Sequence, residues 1–195
     1  MRSFDVKRDT KETKIEMQLC LDGKGSSEID TGCGFLDHML TLFSKYARVD
    51  LKVFCQGDTN VDYHHTAEDV GIVLGQCIDG ALGEKRGIKR YGSAITPMDE
   101  ALIMTALDIS GRSCLRYTAE IPSPKVGDFD TELVEEFFTA LVRTAKMTMH
   151  IRQLDGTNSH HIIEAMFKSF GASVRAAVSI DTDFSDEIPS TKGVL

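Results

Sequence analysis

The chain writes H-H-x-x-E twice, in "VDYHHTAEDVGIVLG" from Val61 to Gly75 and in "NSHHIIEAMFKSFG" from Asn158 to Gly171. The two copies use four of the six histidines. They sit inside a longer repeat. With small gaps, "FLDHMLTLFSKYARVDLKVFCQGDTNVDYHHTAEDVGIVLGQCIDGAL" lies over "LVEEFFTALVRTAKMTMHIRQLDGTNSHHIIEAMFKSFGASVRAAV". That alignment sets His64 on His160, Glu68 on Glu164 and Gly75 on Gly171. Two copies of one pattern of apolar and polar positions call for two similar halves, because the pattern decides which faces are buried.

Each half reads the same way. Residues 35–47 and 132–145 carry apolar side chains at helical spacing, as do the runs that start at the histidines, 64–82 and 160–178. "VDLKVFC" and "MTMHIRQ" alternate like half-buried strands. Ahead of each unit stand three more strand-like stretches: "SFDVKRD", "TKIEMQLCL" and "GSSEIDT", then "YGSAITPM", "ALIMTALDIS" and "CLRYTAEI". The expectation is an α+β fold made by internal duplication of a β-β-β-α-β-α unit, with repeats at about 1–87 and 88–195 in one domain. Each half would form a four-stranded sheet with both helices on one face. Residues 122–131, "PSPKVGDFDT", read as a Pro/Gly loop.

Charge and cysteine usage exclude several function classes. The 30 acidic residues outnumber the 22 basic ones, for a formal charge of -8, so neither nucleic acid nor an anionic membrane is an expected partner. An anionic substrate would need a few basic groups placed locally. The five cysteines are odd in number, widely spaced and without C-x-x-C, which predicts reduced thiols in a cytoplasmic protein and no zinc knuckle. The opening "MRSFDVKRDTKETK" lacks the apolar core of a signal peptide, and no apolar run approaches the ~20 residues that span a bilayer.

The repeated motif points to metal chemistry. Residues four apart share a helix face, so His64 stands over Glu68 and His160 over Glu164. Adjacent residues are rotated by about 100°, so His65 and His161 must point elsewhere. The remaining histidines are His38, placed where the second half has Glu136, and His150, placed where the first half has Val53. Six imidazoles and two carboxylates would give each of two ions three histidines and one glutamate. Such a donor set suits Zn, Mn, Fe, Co or Ni. Exposed helix-start histidines are the bland alternative. A dinuclear metallohydrolase acting on a small phosphorylated metabolite is a rival class, although such sites use bridging carboxylates and none is evident. A protein whose metals only staple an assembly together is another.

At this point the residues carry a resemblance. "GFLDHML", "HHTAEDVGIVLG", "SGR", "MHIRQ", "NSHHIIEAMFKSFG" and "PSTKGVL" resemble the imidazoleglycerol-phosphate dehydratases of histidine biosynthesis, from "KRDTKETKI" onward. The resemblance implies a fold similar to the second domain of a ribosomal small-subunit protein. It implies two Mn(II) ions per active site and a 24-subunit shell built from trimers, with ions at the subunit interfaces. It implies loss of water from imidazole glycerol phosphate to give imidazole acetol phosphate, through a metal-stabilised imidazolate and a diazafulvene-like intermediate. Proton transfer would fall to Glu12 in "TKETK", and the phosphate to Arg90, Arg112, Lys168, Ser190 and Lys192. Tyr63 stands where the family more often has aspartate. For Asp99 and Glu100 in "TPMDEAL" a site role and a strand-edge role are both open.

Overall fold

A computed structural model describes all of residues 1–195. The first half runs β1 (Ser3–Asp9), β2 (Thr13–Cys20), β3 (Ser27–Asp30), α1 (Gly34–Ala47), β4 (Asp50–Gly57) and α2 (His64–Leu82). The second runs β5 (Tyr91–Met98), β6 (Ala101–Asp108), β7 (Cys114–Thr118), then β8 (Lys125–Val126) and β9 (Phe129–Asp130), α3 (Leu133–Ala145), β10 (Thr148–Asp155) and α4 (Ser159–Val178). The two four-stranded sheets have the orders β1-β2-β4-β3 and β5-β6-β10-β7. In each, the last pair is parallel and the others antiparallel.

Alternation sets the layers. Thr13, Ile15, Met17 and Leu19 of β2 are buried while Lys14, Glu16 and Gln18 are exposed, and in β6 Ala101, Ile103, Thr105 and Leu107 are buried. The buried faces turn to the helices: α2 packs on β1 and β2, and α4 on β5 and β6. The helices also pack across the halves, α2 on α3 and α1 on α4. Two sheets therefore enclose a helical layer and share one core, so neither half buries its apolar helix faces alone.

Glycines set the closeness of those helix pairs. A Cβ at Gly75 in α2 would collide with the backbone of Leu141 and Ala145 and with the Thr144 hydroxyl on α3. A Cβ at Gly171 in α4 would stand 2.9 Å from the Phe43 carbonyl and 3.0 Å from the Ala47 nitrogen on α1. Phe43, Phe137, Phe138, Phe167 and Phe170 fill the centre, with ring centroids 4.7–5.5 Å apart.

The 122–131 stretch is more than a loop. Gly127, with φ +62°, turns the chain so that β8 and β9 pair as a short hairpin. Burial of Phe129 against Phe35, 5.2 Å between ring centroids, holds it beside α1.

Candidate metal centre and active site

The N-terminal two turns of α1 and α4 converge on one cluster. His38 Nε2 and His160 Nε2 lie 3.3 and 3.2 Å from Glu164 Oε2. The three donor atoms stand within 4.8 Å of one another, the only such His/Cys/Asp/Glu trio in the chain. Ligands ~2.1 Å from a small divalent ion are about 3.0–3.4 Å apart, so this spacing and the imidazole–carboxylate chemistry fit one. Glu164 is buried, which opposes its ionisation. Lys168 Nζ, donating to Oε1 at 2.6 Å, and the two imidazoles nonetheless hold its carboxyl below the usual range. Phe35 lies edge-on to the His160 ring, 5.4 Å between centroids. An open groove of about 600 Å³, lined by Pro122–Val126 and Thr157–His160, borders the same imidazole.

The equivalent place in the first half is organised differently. His64 begins α2, its backbone N–H donating to Asp62 Oδ1 at 2.7 Å, and Glu68 accepts from Arg143 at 3.3 Å. Opposite them on α3, at the position matching His38, stands exposed Glu136. The sixth histidine does not join either group. The sheet pairings match His150 with Lys52 rather than with Val53: His150 faces Ala106 and Lys52 faces Gln18, whereas buried Ile151 matches Val53. Strand alternation thus puts His150, exposed, on the sheet face turned away from the helices. The sequence-based reading of His150 as a ligand is corrected on that ground. Glu136 is the residue that reading passed over; the repeat already aligned it with His38.

His65 and His161 leave their own His/Glu faces, as helical rotation requires. His65 Nδ1 lies 2.9 Å from Asp58 Oδ2, and Glu12 Oε1 stands 3.7 Å from its Nε2. His161 Nδ1 lies 2.7 Å from Glu100 Oε2, with Asp99 Oδ2 3.8 Å from its Nε2. The carboxylates raise both imidazoles above their ordinary pKa, and His161 in turn holds Glu100 down at about 2. Asp69, buried, accepts from Thr13 and Arg8 and so ties α2 to the turn that bears Glu12. Tyr63 donates to Asp128 Oδ2 at 2.8 Å, linking the start of α2 to the β8–β9 hairpin, and this bond pushes the phenol up to about 12.

The basic candidates gather elsewhere. Arg90 holds Asp108 through Nε at 2.7 Å and the Pro189 carbonyl through a terminal nitrogen at 2.8 Å. It thereby anchors the segment in which the Ser190 hydroxyl accepts from the Lys192 backbone N–H. That segment ends against Gly111, beside exposed Arg112. Arg90 precedes β5 and Asp99 follows it, and the eight residues of β5 separate them by about 25 Å. Within one chain the group around Arg90 therefore stands at the far end of α4 from His160 and His161. Lys168 is apart from that group, on α4 one turn after Glu164, with Nζ 3.3 Å from Met98 Sδ.

Known proteins supply the comparison. The family model described as imidazoleglycerol-phosphate dehydratase matches residues 31–174. The chain is 55% identical over 193 residues to an imidazoleglycerol-phosphate dehydratase of Exiguobacterium, covering 99% of this chain and 98% of that one. It is 55% identical over 195 residues to that of Listeria innocua, covering both chains in full at 100%. The crystal structure of imidazoleglycerol-phosphate dehydratase from Staphylococcus aureus superposes with a TM-score of 0.84 at 41% identity, over 92% of this chain and 99% of that one. The structure of IGPD from Pyrococcus furiosus gives 0.85 at 38% identity, over 97% and 100%.

Proposed function

Because the chain belongs to the imidazoleglycerol-phosphate dehydratase family, and so carries out the dehydration step of histidine biosynthesis, we propose that it does so with two Mn(II) ions per active site. The observation that carries the metal reading is the convergence of His38, His160 and Glu164. His161, from the same motif, and the His64, His65 and Glu68 set would complete the donors. The repeat adds Glu136 opposite His64 and Glu68, in the role that His38 has in the other half. When bound, the ions would act as Lewis acids on the substrate's imidazole ring. Glu164 is not free to bridge two ions, because its second oxygen is taken by Lys168, and this disfavours a dinuclear hydrolase.

The chain's own side chains do the remaining work. The reaction removes a hydroxyl and a carbon-bound proton, and no carbonyl acidifies that C–H. A positioned base is needed, and Glu12 is the exposed carboxylate beside His65. Arg112 and Lys192 are exposed and suit a phosphate, with Ser190 as a hydroxyl partner. Arg90 spends its fork on Asp108 and Pro189 and so shapes this cradle from behind. Lys168 has its ammonium on Glu164 and would reach the substrate only from beside the metal ligands.

The separation between the phosphate group and the α4 histidines supports a site completed by a second copy of the chain, and with it self-association into a large closed particle, a 24-mer of trimers. No helix is long and apolar enough to cross a membrane, and five free cysteines support a reducing, cytoplasmic setting. The deciding assay is formation of imidazole acetol phosphate by metal-stripped protein, with and without added Mn(II). Activity restored by Mn(II) is the expected result. Full activity after verified metal loss would defeat the metal reading, and phosphate release in place of dehydration would favour the hydrolase.

A further inference from the structure

The second histidine of each motif is held at the same ring nitrogen by a carboxylate from a different place in the fold. Asp58, just after β4, takes His65 Nδ1, and Glu100, in the β5–β6 turn, takes His161 Nδ1. Sheet register shows that these carboxylates are not copies of each other. Ile15 pairs with Cys55, and Ile103 pairs with Gln153 at the matching place in the second sheet. Counting back from each isoleucine, Glu12 and Glu100 occupy the same position of the repeat. The counterpart of Asp58 is missing, because the β10–α4 link is only Gly156, Thr157 and Asn158 and carries no carboxylate.

A neutral imidazole has one N–H and one lone pair, and an ionised carboxylate only accepts. A carboxylate at Nδ1 therefore puts the proton there and leaves the lone pair on Nε2. On the Nε2 sides stand only Glu12 and Asp99, at 3.7 and 3.8 Å, beyond hydrogen-bond reach. Glu100 is itself fixed, its Oε1 accepting from the backbone of Thr157 at 3.1 Å and of Asn158 at 2.7 Å. Asn158 in turn caps α4 at the His161 backbone N–H.

We propose that Asp58 and Glu100 are positioning residues, each of which orients its imidazole so that Nε2 is the metal-binding atom. Glu100 is then the duplicate of Glu12 that holds a ligand where Glu12 handles a proton. Two unrelated routes to one contact make an accident of packing a poor account of it. The proposal rests on His65 and His161 being ligands, and the experiment separates the two readings.

The test uses the full chain with 15N-labelled imidazoles, metal-free and at a pH where the rings are neutral, together with Mn(II) affinity from chelator competition. The native chain should show the Nδ1–H tautomer at His161. Glu100→Ala should move His161 towards Nε2–H and weaken Mn(II) by about 10–100-fold. Glu100→Gln, whose amide oxygen still accepts from Nδ1–H, should recover part of both, and the Asp58 pair should behave likewise at His65. A purely structural Glu100 would lower the unfolding midpoint and leave tautomer and affinity alone, which would overturn the proposal. His161→Ala is the control. If it binds Mn(II) as the native chain does, the reading of His161 as a ligand falls and the proposal with it. If it weakens binding while Glu100→Ala does not, only the positioning role falls.

Discussion

The α1/α4 and α2/α3 pairs hold equivalent places in the duplicated fold, yet they assemble different sites. In the first, His38 from one half meets His160 and Glu164 from the other, and Lys168 steadies the carboxylate. In the second, Glu136 replaces the imidazole, and an exposed Arg143 rather than a half-buried lysine touches the motif glutamate. The packing behind them differs in the same sense. Gly71 and Gly75 bring α2 close to α3, while α4 has Phe167 at the position of Gly71 and fills the space with aromatic rings. One scaffold thus occurs twice, and its chemistry differs at single positions.

The sharpest way to test that divergence is Glu12→Gln, because Glu12 and Glu100 are the same position put to different uses. The amide keeps the shape and loses the proton acceptor, so kcat should fall by about 10²–10⁴-fold with Mn(II) affinity unchanged. Near-normal turnover would remove Glu12 from the reaction and leave the two turns functionally alike. Next in size are His38→Ala and Glu136→Ala, each expected to cost one helix pair a metal ligand and at least about 100-fold in affinity at one of two sites. Chelator competition resolving two binding steps reads this directly. If Glu136→Ala leaves both steps untouched, the correspondence between His38 and Glu136 is positional only.

The helix pairs can be compared by adding one methyl group to each. Gly75→Ala drives a Cβ into backbone atoms of Leu141 and Ala145, which cannot swing away. Gly171→Ala also meets backbone, the Phe43 carbonyl and the Ala47 nitrogen, but at 2.9 and 3.0 Å, so α1 and α4 need to part by only a few tenths of an ångström. Overpacking costs about 1–3 kcal/mol, and alanine returns about 1 kcal/mol of helix propensity. Gly75→Ala should therefore destabilise by about 2 kcal/mol and Gly171→Ala by about 1 kcal/mol or less, read from denaturant midpoints. Equal losses would mean that the two pairs pack alike.

What the sequence made legible follows from the same duplication. Helix and strand positions repeat, so each half corroborates the other, and apart from β8 and β9 the elements fall where the periodicities put them. One motif face was legible too, since helical spacing alone aims His160 with Glu164, which the structure sets 3.2 Å apart. The failure at His150 came from a one-residue slip between β4 and β10, which in a strand exchanges the buried face for the exposed one. Asp58 was hidden, and Glu100 left open between a site role and a strand-edge role, for a different reason: contacts made by turns depend on where strands end, and no periodic signal reports that. The β8–β9 hairpin is held by Phe129 against Phe35, a contact between distant segments that a Pro/Gly composition masks.

The smallest expected effect concerns the loops between the second and third strands of each half. In the first half Asp50 Oδ1 accepts from the Lys24 and Ser26 backbones at 2.8 and 3.0 Å and from the Ser26 hydroxyl at 2.6 Å. Those bonds hold its carboxyl at about 2, below the ordinary carboxylate value. At the corresponding place in the second half, Ser110 accepts from the Arg112 N–H at 3.3 Å and lies 3.4 Å from Thr148, hydroxyls that do not titrate. A depressed carboxylate contributes stability above its unfolded pKa and loses it as pH falls through the folded one. Amide protection at Lys24 and Ser26 should accordingly be constant above about pH 4 and decline from there towards pH 2. The group is partly exposed, so screening should keep the loss below about tenfold in local opening. Protection at Arg112 should stay flat over that range once intrinsic exchange is divided out. Asp50→Asn should flatten the first loop as well, since the amide oxygen still accepts but carries no charge. If Lys24 and Ser26 keep full protection at pH 2, or if Arg112 declines in parallel, the two loops respond to acid as one unit and this difference between the halves disappears.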